Sequence, residues 1–264
     1  MSDQPIDDSC VLTHDVGSVR WITLNRPDNG NKFNPPMLRR LKSVLEDARM
    51  ERDVRVVVIT GAGDRFFCIG GEHDEKSADL DYATVMGVVD VYQFIDQMPK
   101  PVIAAVNGFA VGGGHVLQVM CDLTIAKASA IFRQVGPMVG SFDAGFGTWY
   151  LEDLIGRKRA KEMWFLNDKL TADQALAYGL VNRVVPDDQL VEETTLLANA
   201  VAERGAQALA AIKLSFAART GGAGGFSRVA HDLLLRDYLQ TEEAAELQSS
   251  FNERRPPDQS RFWR

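Results

Sequence analysis

Two glycine clusters, each following an apolar stretch, are the parts of the sequence best suited to chemistry. The first is FFCIGGEH (residues 66–73), and the second is NGFAVGGGH (residues 107–115), which runs into a predicted helix. Glycine lets backbone N–H groups approach a ligand closely, and a helix N-terminus adds partial positive charge. Together the clusters could hold an oxygen that becomes negative during a reaction. Ordinary tight turns would show the same spacing, because neither cluster is a Walker A or a dinucleotide-binding motif.

The histidines and cysteines near these turns form no recognisable metal or nucleophile motif. His73 and His115 have no HxxxH or HExxH partner, and we predict that they are satisfied or solvated. Cys68 follows two phenylalanines with no adjacent base, which indicates a packed thiol. The three cysteines show no CxxC pair or zinc spacing, so neither a disulfide framework nor a metal site is expected.

The composition is typical of a soluble globular protein in a reducing cytoplasm. The chain has 264 residues, of which 45% are hydrophobic and 25% charged, enough for one core plus a small helical module. Its first twenty residues lack the basic start and apolar stretch of a signal peptide, and no later run has membrane-spanning length. The net charge of −7 provides no general basic surface, so nucleic acid is not an expected partner.

Strand and helix patterns alternate through the first part of the chain. Asn34, followed by two prolines, is a plausible cap for a helix that ends near residue 51, and a second helical stretch ends near residue 98. The order indicates an α/β fold of about four strand-helix units in a spiral. Strands are predicted at residues 19–24, 54–60, 101–106 and 122–126.

Helical patterns dominate the second part of the chain. Thr171 and Gln174 form a capping box, and a short strand is predicted at residues 180–185. Further helices are predicted at residues 187–204, 206–219 and 226–251, with a flexible break at GGAGG (221–225). We predict a core over residues 1–200 and a helical oligomerisation region over residues 201–264.

Long motifs in this order resemble the crotonase (enoyl-CoA hydratase/isomerase) superfamily. The resemblance implies a crotonase-type spiral of ββα repeats with a C-terminal helical trimerisation module, a homotrimer or dimer of trimers, and a coenzyme A thioester substrate. GGGHVLQVMCDLTIA and VGPMVGSFDAGFGTWYL are particularly similar to 1,4-dihydroxy-2-naphthoyl-CoA synthase and 2-ketocyclohexanecarboxyl-CoA hydrolase. The other matching motifs are NRPxxxNxF, VVVITGAGDRFFCIGGE, KPVIAAVNGFAV and LTADQALAYGLVNRVVP.

By that resemblance, the backbone N–H groups of Gly71 and Gly113 form an oxyanion hole for the thioester carbonyl. Preorganised donors in a dry pocket would make the weakly acidic α-proton accessible. Hydratases of the superfamily also carry two glutamates that handle the added water, and the matching positions hold Val116 and Gly136. Neither residue can transfer a proton, which argues against simple hydration and against isomerases that rely on the second glutamate.

The resemblance implies other groups for proton transfer. In the naphthoate synthases, bound bicarbonate replaces the missing carboxylate, and residues matching Gln134, Gly136 and Trp164 hold it. Asp143 matches a second proton carrier, and Ser141 would orient Asp143 or the substrate. Without the resemblance, Asp143 would be interpreted as a turn or helix cap and Trp164 as a core aromatic. No tightly bound cofactor is expected, because coenzyme A belongs to the substrate.

The sequence departs from the naphthoate synthases in the tail and in the loop after GGEH. Leu239 matches their catalytic tyrosine, and Tyr238, a candidate substrate contact, is one residue away, a rotation of about 100° on a helix. The loop is shorter and acidic where theirs is basic, and Tyr82 is the candidate substrate contact there. Arg254 could pair with coenzyme A phosphates across a subunit boundary or be solvated. We therefore do not expect o-succinylbenzoyl-CoA as the substrate.

The resulting hypothesis is carbon–carbon bond formation or cleavage beside a thioester, by ring closure of the Dieckmann or Claisen type or by hydrolytic ring opening of a β-keto acyl-CoA. An enzymatic alternative is a hydratase or isomerase that uses other carboxylates, such as Glu72 or Asp74. A non-enzymatic alternative is a silent crotonase-fold protein that binds coenzyme A or RNA. The negative net charge argues against RNA binding.

Overall fold

The computed structural model describes residues 8–72, 82–139, 146–229, 236–258, 260 and 262. Two compact units divide the chain, Met1–Leu209 and Ala210–Arg264. The predicted domain boundary after residue 200 and the oligomerisation role of the tail stay predictions. Among the described residues, no helix is long and apolar enough to cross a membrane.

The secondary structure of the described residues mixes strands and helices. The strands are β1 (Val11–Val16), β2 (Val19–Leu24), β3 (Val56–Gly61), β4 (Phe66–Cys68), β5 (Val102–Val106), β6 (Phe109–Val111), β7 (Leu123–Lys127), β8 (Ile131–Arg133), β9 (Leu170–Thr171) and β10 (Arg183–Val185). The helices are α1 (Pro35–Met50), α2 (Tyr82–Gln97), α3 (Gly113–Met120), α4 (Leu151–Ile155), α5 (Arg157–Leu166), α6 (Ala172–Tyr178), α7 (Leu190–Ala202), α8 (Ala206–Val229), α9 (Arg236–Tyr238) and α10 (Glu242–Glu253). A π-helical segment, Phe146–Tyr150, precedes α4. The α/β class predicted from the sequence is confirmed.

A six-stranded sheet in the order β1-β2-β3-β5-β7-β10 is the larger of two sheets. Its strands are parallel except for β1, which pairs antiparallel with β2. Val57 and Ile59 of β3 join a core with α1, α2 and α3, whereas Val56 and Val58 join a cluster with α7. Burial on both faces explains why β3 and β5 are continuous apolar runs instead of alternating patterns.

The strands of a second, four-stranded sheet, in the order β4-β6-β8-β9, mostly alternate along the chain with strands of the first, and the glycine turns follow β4 and β6. Two buried amides fix the loops that enter this second sheet. Asn107 accepts a hydrogen bond from Gly61 N (3.1 Å) and donates to Gly63 O (2.7 Å). Asn31 accepts from Arg26 N (2.9 Å) and donates to Phe66 O (2.9 Å). These amides satisfy backbone groups that would otherwise be buried without partners.

Several local predictions are confirmed. Strand β2 has the predicted bounds, and the Asn34 side chain caps α1 by accepting from Met37 N at 3.0 Å. Thr171 and Gln174 form the predicted capping box at α6. Strand β1 was not predicted, because five of its six residues are not buried and its sequence lacks a clear apolar alternation. Strand β10 is shorter than predicted.

The prediction of a break at GGAGG is wrong, because α8 continues through residues 221–225 to Val229. Each glycine costs a helix interior about 1 kcal/mol relative to alanine, but it still forms the main-chain hydrogen bond. Extension of an existing helix is easier than nucleation, so the five residues stay helical. The predicted helix at 226–251 is also wrong as one element, since Thr241 caps a new helix, α10, by accepting from Ala244 N at 3.2 Å.

Candidate active site

The two glycine turns lie against each other. A Cβ atom built on Gly70 would lie 3.2 Å from the backbone nitrogen of Gly113, and one built on Gly113 would lie 3.6 Å from the Gly70 Cα. Gly70 has a φ of +92° and Gly112 a φ of +54°, in the region that favours glycine. At Gly114, a Cβ atom would lie 2.1 Å from the carbonyl oxygen of Cys68. The sequence therefore needs glycine here for contact between the turns.

Backbone hydrogen bonds hold each turn in place. Phe33 N donates to Gly70 O (2.8 Å), and Glu72 N donates to Phe33 O (2.9 Å). In the second turn, Gly112 N donates to the carbonyl at the end of β8, Arg133 O (3.0 Å). Phe33 is buried, so its bridge to Gly71 is shielded from water. Both turns are thus fixed by partners outside themselves.

The N–H groups of Gly71 and Gly113 have no hydrogen-bond acceptor within the part of the chain that the structure describes. Both glycines are partly exposed. Gly113 is the first residue of α3, where N–H groups lack intrahelical acceptors and the helix dipole is positive. Two adjacent turns therefore present two unused N–H donors, the arrangement that stabilises a developing oxyanion.

Buried side chains surround this pair of donors. The Tyr92 hydroxyl of α2 donates to Gly113 O at 2.6 Å, and a Cβ atom on Gly113 would lie 3.1 Å from that hydroxyl and 3.5 Å from the Phe33 ring. Val116, one turn into α3, is fully buried. Sequence reasoning missed Tyr92, because nothing in an amphipathic helix marks one tyrosine as a contact of a distant glycine turn.

His115 and Gln134 form a buried polar pair beside the second turn. Gln134 Nε2 lies 2.9 Å from His115 Nδ1, and both side chains are fully buried. Burial lowers the pKa of His115 to about 3, so the ring is neutral at pH 7. His115 Nε2 and Gln134 Oε1 have no partner among the described residues. His115 thus has a partner at Nδ1, as the prediction of a satisfied or solvated ring expects, and none at Nε2 among the described residues.

Cys68 is buried, and burial raises the pKa of its thiol to about 12. A thiol with this pKa is not ionised at neutral pH and is a poor nucleophile. The prediction of a packed thiol is confirmed. In the described ranges, no group of three His, Cys, Asp or Glu side chains is arranged to hold a metal ion.

The residues that resemblance assigns to bicarbonate have partners within the chain. Trp164 is buried, and its Nε1 donates to Gly147 O at 2.8 Å. Gln134 Nε2 is directed at His115, and the unpartnered atom of the amide is an acceptor, Oε1. Gly136 opens a short 3₁₀ turn, Gly136–Met138. An anion needs free donors, so the side chains of Gln134 and Trp164 as arranged do not fit bicarbonate.

The other predicted site residues lie outside the described residues or in the second unit. Asp143 and Ser141 lie outside the described residues, as do His73, Asp74 and the side chain of Tyr82, the first residue of α2. In the second unit, Tyr238 ends α9 and is partly exposed, and Leu239 is exposed. Arg254 is exposed and ends α10 with a φ of +55°.

Comparison with known proteins decides the family. Residues 15–261 match the family model described as enoyl-CoA hydratase/isomerase. The chain belongs to this family. Among solved structures, an enoyl-CoA hydratase from Bacillus anthracis is 30% identical, with a TM-score of 0.75 over 94% of this chain and 98% of its own. Pseudomonas aeruginosa DspI is 28% identical, with a TM-score of 0.77 over the whole of both chains. A monofunctional enoyl-CoA isomerase from M. smegmatis is 31% identical, with a TM-score of 0.71 over 83% of this chain and 98% of its own.

Membership of the enoyl-CoA hydratase/isomerase family fixes the general class of the site. The chain has the crotonase fold, which confirms the predicted superfamily. It is a crotonase-family acyl-CoA enzyme. Two of the structures named above are an enoyl-CoA hydratase and an enoyl-CoA isomerase, so similarity to naphthoate synthase belongs to the proposal below.

Proposed function

We propose that this enzyme stabilises a thioester enolate and forms or breaks a carbon–carbon bond beside it. The reaction is ring closure of the Dieckmann or Claisen type, or hydrolytic ring opening of a β-keto acyl-CoA, similar to the naphthoate synthases and 2-ketocyclohexanecarboxyl-CoA hydrolase. The observation that carries the proposal is the pair of unused N–H donors on Gly71 and Gly113, combined with Val116 and Gly136 where hydratases have glutamates.

The two N–H donors supply the stabilisation of the enolate. When the α-carbon gains negative charge, the charge spreads to the thioester oxygen, which then accepts from Gly71 and Gly113. One such donor in a preorganised site contributes about 3 to 4 kcal/mol to the transition state. This contribution serves any reaction of a thioester enolate, so the remaining groups decide what happens at the α-carbon.

Positions 116 and 136 hold Val116 and Gly136 and so lack the two carboxylates that hydration needs. Val116 is fully buried in the first turn of α3 and is apolar. Gly136 has no side chain, and its neighbours Pro137 and Met138 continue a 3₁₀ turn without a carboxylate. Addition of water across a double bond requires a base for the water and an acid for the α-carbon. The sequence provides neither at these two positions.

In ring opening, water adds to the ketone carbon of the β-keto thioester and loses a proton to a base. The bond between that carbon and the α-carbon then breaks, and its electron pair moves to the α-carbon as the thioester enolate. A proton delivered to the α-carbon completes the product, which carries a new carboxylate. Ring closure is the reverse sequence, in which the thioester enolate attacks the carbon of a carboxylic acid and the resulting adduct loses water to form the ring ketone. We assign the proton transfer to Asp143 and the orientation of Asp143 or substrate to Ser141, without a step through bicarbonate.

Substrate contacts complete the proposal. We assign Tyr82, Tyr238 and Arg254 to binding of the acyl-CoA, and we propose a homotrimer or dimer of trimers located in the cytoplasm. Analytical ultracentrifugation measures the oligomer, and Arg254→Ala tests the phosphate contact through a weaker affinity for free coenzyme A.

Hydration or isomerisation is the second candidate, favoured by the names of the similar structures. Glu72, next to Gly71, is the described carboxylate available to it in the first turn. Its Oε1 accepts from Arg26 at 2.7 Å, so the carboxylate is already engaged. Rapid turnover of crotonyl-CoA, lost in Glu72→Gln, would favour this candidate over carbon–carbon chemistry.

Deuterium exchange tests the leading proposal without knowledge of the natural substrate. We would incubate acetoacetyl-CoA with the enzyme in heavy water and follow deuterium entry at the α-carbon by mass spectrometry. Wild-type enzyme should exceed an enzyme-free control, Asp143→Asn should fall at least about tenfold, and Asp53→Asn, an exposed turn residue, should match wild type.

Two further arms of the exchange experiment interpret its outcome. Added bicarbonate should leave the rate unchanged, because Gln134 and Trp164 offer it no free donor. Exchange that equals the enzyme-free control, together with tight binding of coenzyme A, would contradict the catalytic proposal and support a silent binding protein.

A further inference from the structure

Tyr92 reaches the second glycine turn from a different helix. Its hydroxyl is buried and donates to Gly113 O at 2.6 Å. The same hydroxyl lies 3.1 Å from where a Cβ atom on Gly113 would stand. A buried hydroxyl therefore contacts the residue whose N–H group is one of the two unused donors.

The same face of α2 holds a second segment next to the site. Asp96, one turn after Tyr92, accepts from the Tyr150 hydroxyl at 3.0 Å. The Tyr92 ring lies 5.9 Å from the Phe146 ring at 59°, and Phe146 stacks on Tyr150 at 5.8 Å and 25°. Phe146 follows Asp143 by three residues in the sequence. Helix α2 thus connects the oxyanion turn to the segment that directly follows the proposed proton carrier.

We propose that Tyr92 is a positioning residue for the oxyanion hole. The inference rests on the proposed function, because it concerns the same two N–H donors. Gly113 lies between two other glycines, and glycine has more backbone freedom than any other residue. The hydrogen bond to its carbonyl restricts rotation about the Gly113 Cα, so the N–H group stays aimed at the thioester oxygen. Preorganisation of this kind is what makes a backbone donor effective in catalysis.

Tyr92→Phe tests the inference, because it removes the hydroxyl and keeps the ring that contacts Phe146. Tyr150→Phe removes a different hydroxyl from the same aromatic cluster, one that is not bonded to Gly113. It therefore controls for weaker packing of the cluster as a whole. Tyr178→Phe, in which the ring stays beneath Arg159 on another helix, controls for the loss of any tyrosine hydroxyl. Thermal unfolding confirms that each variant is folded before use.

The decisive readout is the infrared stretch of the thioester carbonyl in bound, carbonyl-labelled acetoacetyl-CoA. Strong N–H donors lower this frequency, so it reports on the oxyanion hole in the absence of turnover. We expect wild type, Tyr150→Phe and Tyr178→Phe to lower it equally, and Tyr92→Phe to lower it less. In the exchange assay, kcat of Tyr92→Phe should fall about tenfold, the loss expected for one hydrogen bond, while KM changes less than about twofold.

Three results would overturn the inference, and they are distinguishable. If Tyr92→Phe keeps the wild-type frequency and kcat, Tyr92 does not position the donor. If Tyr150→Phe changes the frequency as much as Tyr92→Phe does, the effect belongs to packing of the aromatic cluster. If wild-type enzyme does not lower the frequency at all, the oxyanion hole itself is wrong, and the proposed function fails with it.

Discussion

Replacement of Gly71 by alanine should separate catalysis from stability. A Cβ atom built on Gly71 has no heavy atom of the described residues within 4 Å, and the residue has no positive φ, so alanine suits the folded backbone. The space that the methyl group enters is the space beside the unused N–H donor, where a thioester oxygen has to approach. The variant should therefore fold normally and bind the oxyanion poorly.

The effects of Gly71→Ala on stability and on catalysis have opposite signs, and the size of each can be estimated. Alanine reduces the conformational freedom of the unfolded chain, which stabilises a compatible site by about 0.4 to 1 kcal/mol. The N–H group of residue 71 remains in the variant, but a methyl group that blocks access to it should cost as much as loss of one oxyanion donor, roughly 100- to 1,000-fold in kcat or about 2.7 to 4 kcal/mol. We expect stability equal to or above wild type and exchange of acetoacetyl-CoA reduced by about 100-fold or more.

Urea unfolding and the deuterium exchange assay measure the two quantities on the same preparation. Gly221→Ala is the matched control, because Gly221 also has open space around its Cβ position but lies in α8, outside the glycine turns. That control should gain up to about 1 kcal/mol of stability from helix propensity and keep full activity. Exchange by Gly71→Ala at the wild-type rate would refute the assignment of its N–H group to the oxyanion hole.

Two further predictions concern packing and pH. Gly114→Ala should lower the free energy of unfolding by about 3 kcal/mol or more, because its Cβ atom would lie 2.1 Å from the Cys68 carbonyl oxygen; wild-type stability in urea would contradict this. Burial lowers the pKa of His115 from 6.5 to about 3, so the unfolded chain takes up a proton that the folded ring does not. Stability should therefore fall by about 1.4 kcal/mol per pH unit as the pH drops from 6.5 towards 3, and His115→Leu should lose that slope while His14→Gln keeps it.

The parts of the fold that the sequence predicts depend on local signals. Strand β2 and the Asn34 cap could be predicted from neighbouring residues, because apolar alternation marks a strand and a side-chain oxygen three residues before a backbone N–H favours a helix start. The glycine clusters were recognised for the same reason, since their composition alone indicates backbone that approaches a ligand. These features could be assigned before the tertiary structure was known.

The features that the sequence did not predict depend on contacts between distant segments. The position of Gly71 relies on Phe33, and the position of Gly113 relies on Tyr92 and on the end of β8. The half-satisfied state of His115 requires knowledge of what encloses it, which no spacing rule provides. The GGAGG segment is also helical for a reason outside its own sequence. The helical turns before and after it outweigh the low helix propensity of its glycines.

Activation of the thioester and transfer of protons are carried by different kinds of groups in this fold. The N–H donors belong to backbone that buried hydrogen bonds hold in place, so they depend on the architecture more than on any one side chain. Proton transfer at positions 116 and 136 depends on single side chains, and here those positions hold valine and glycine. Under the proposed function, a chain 30% identical to an enoyl-CoA hydratase keeps the two glycine turns while its reaction differs. The reaction class has to be argued from positions 116 and 136 and from Asp143. Overall similarity to family members indicates the shared fold and its glycine turns, and one fold can serve different reactions.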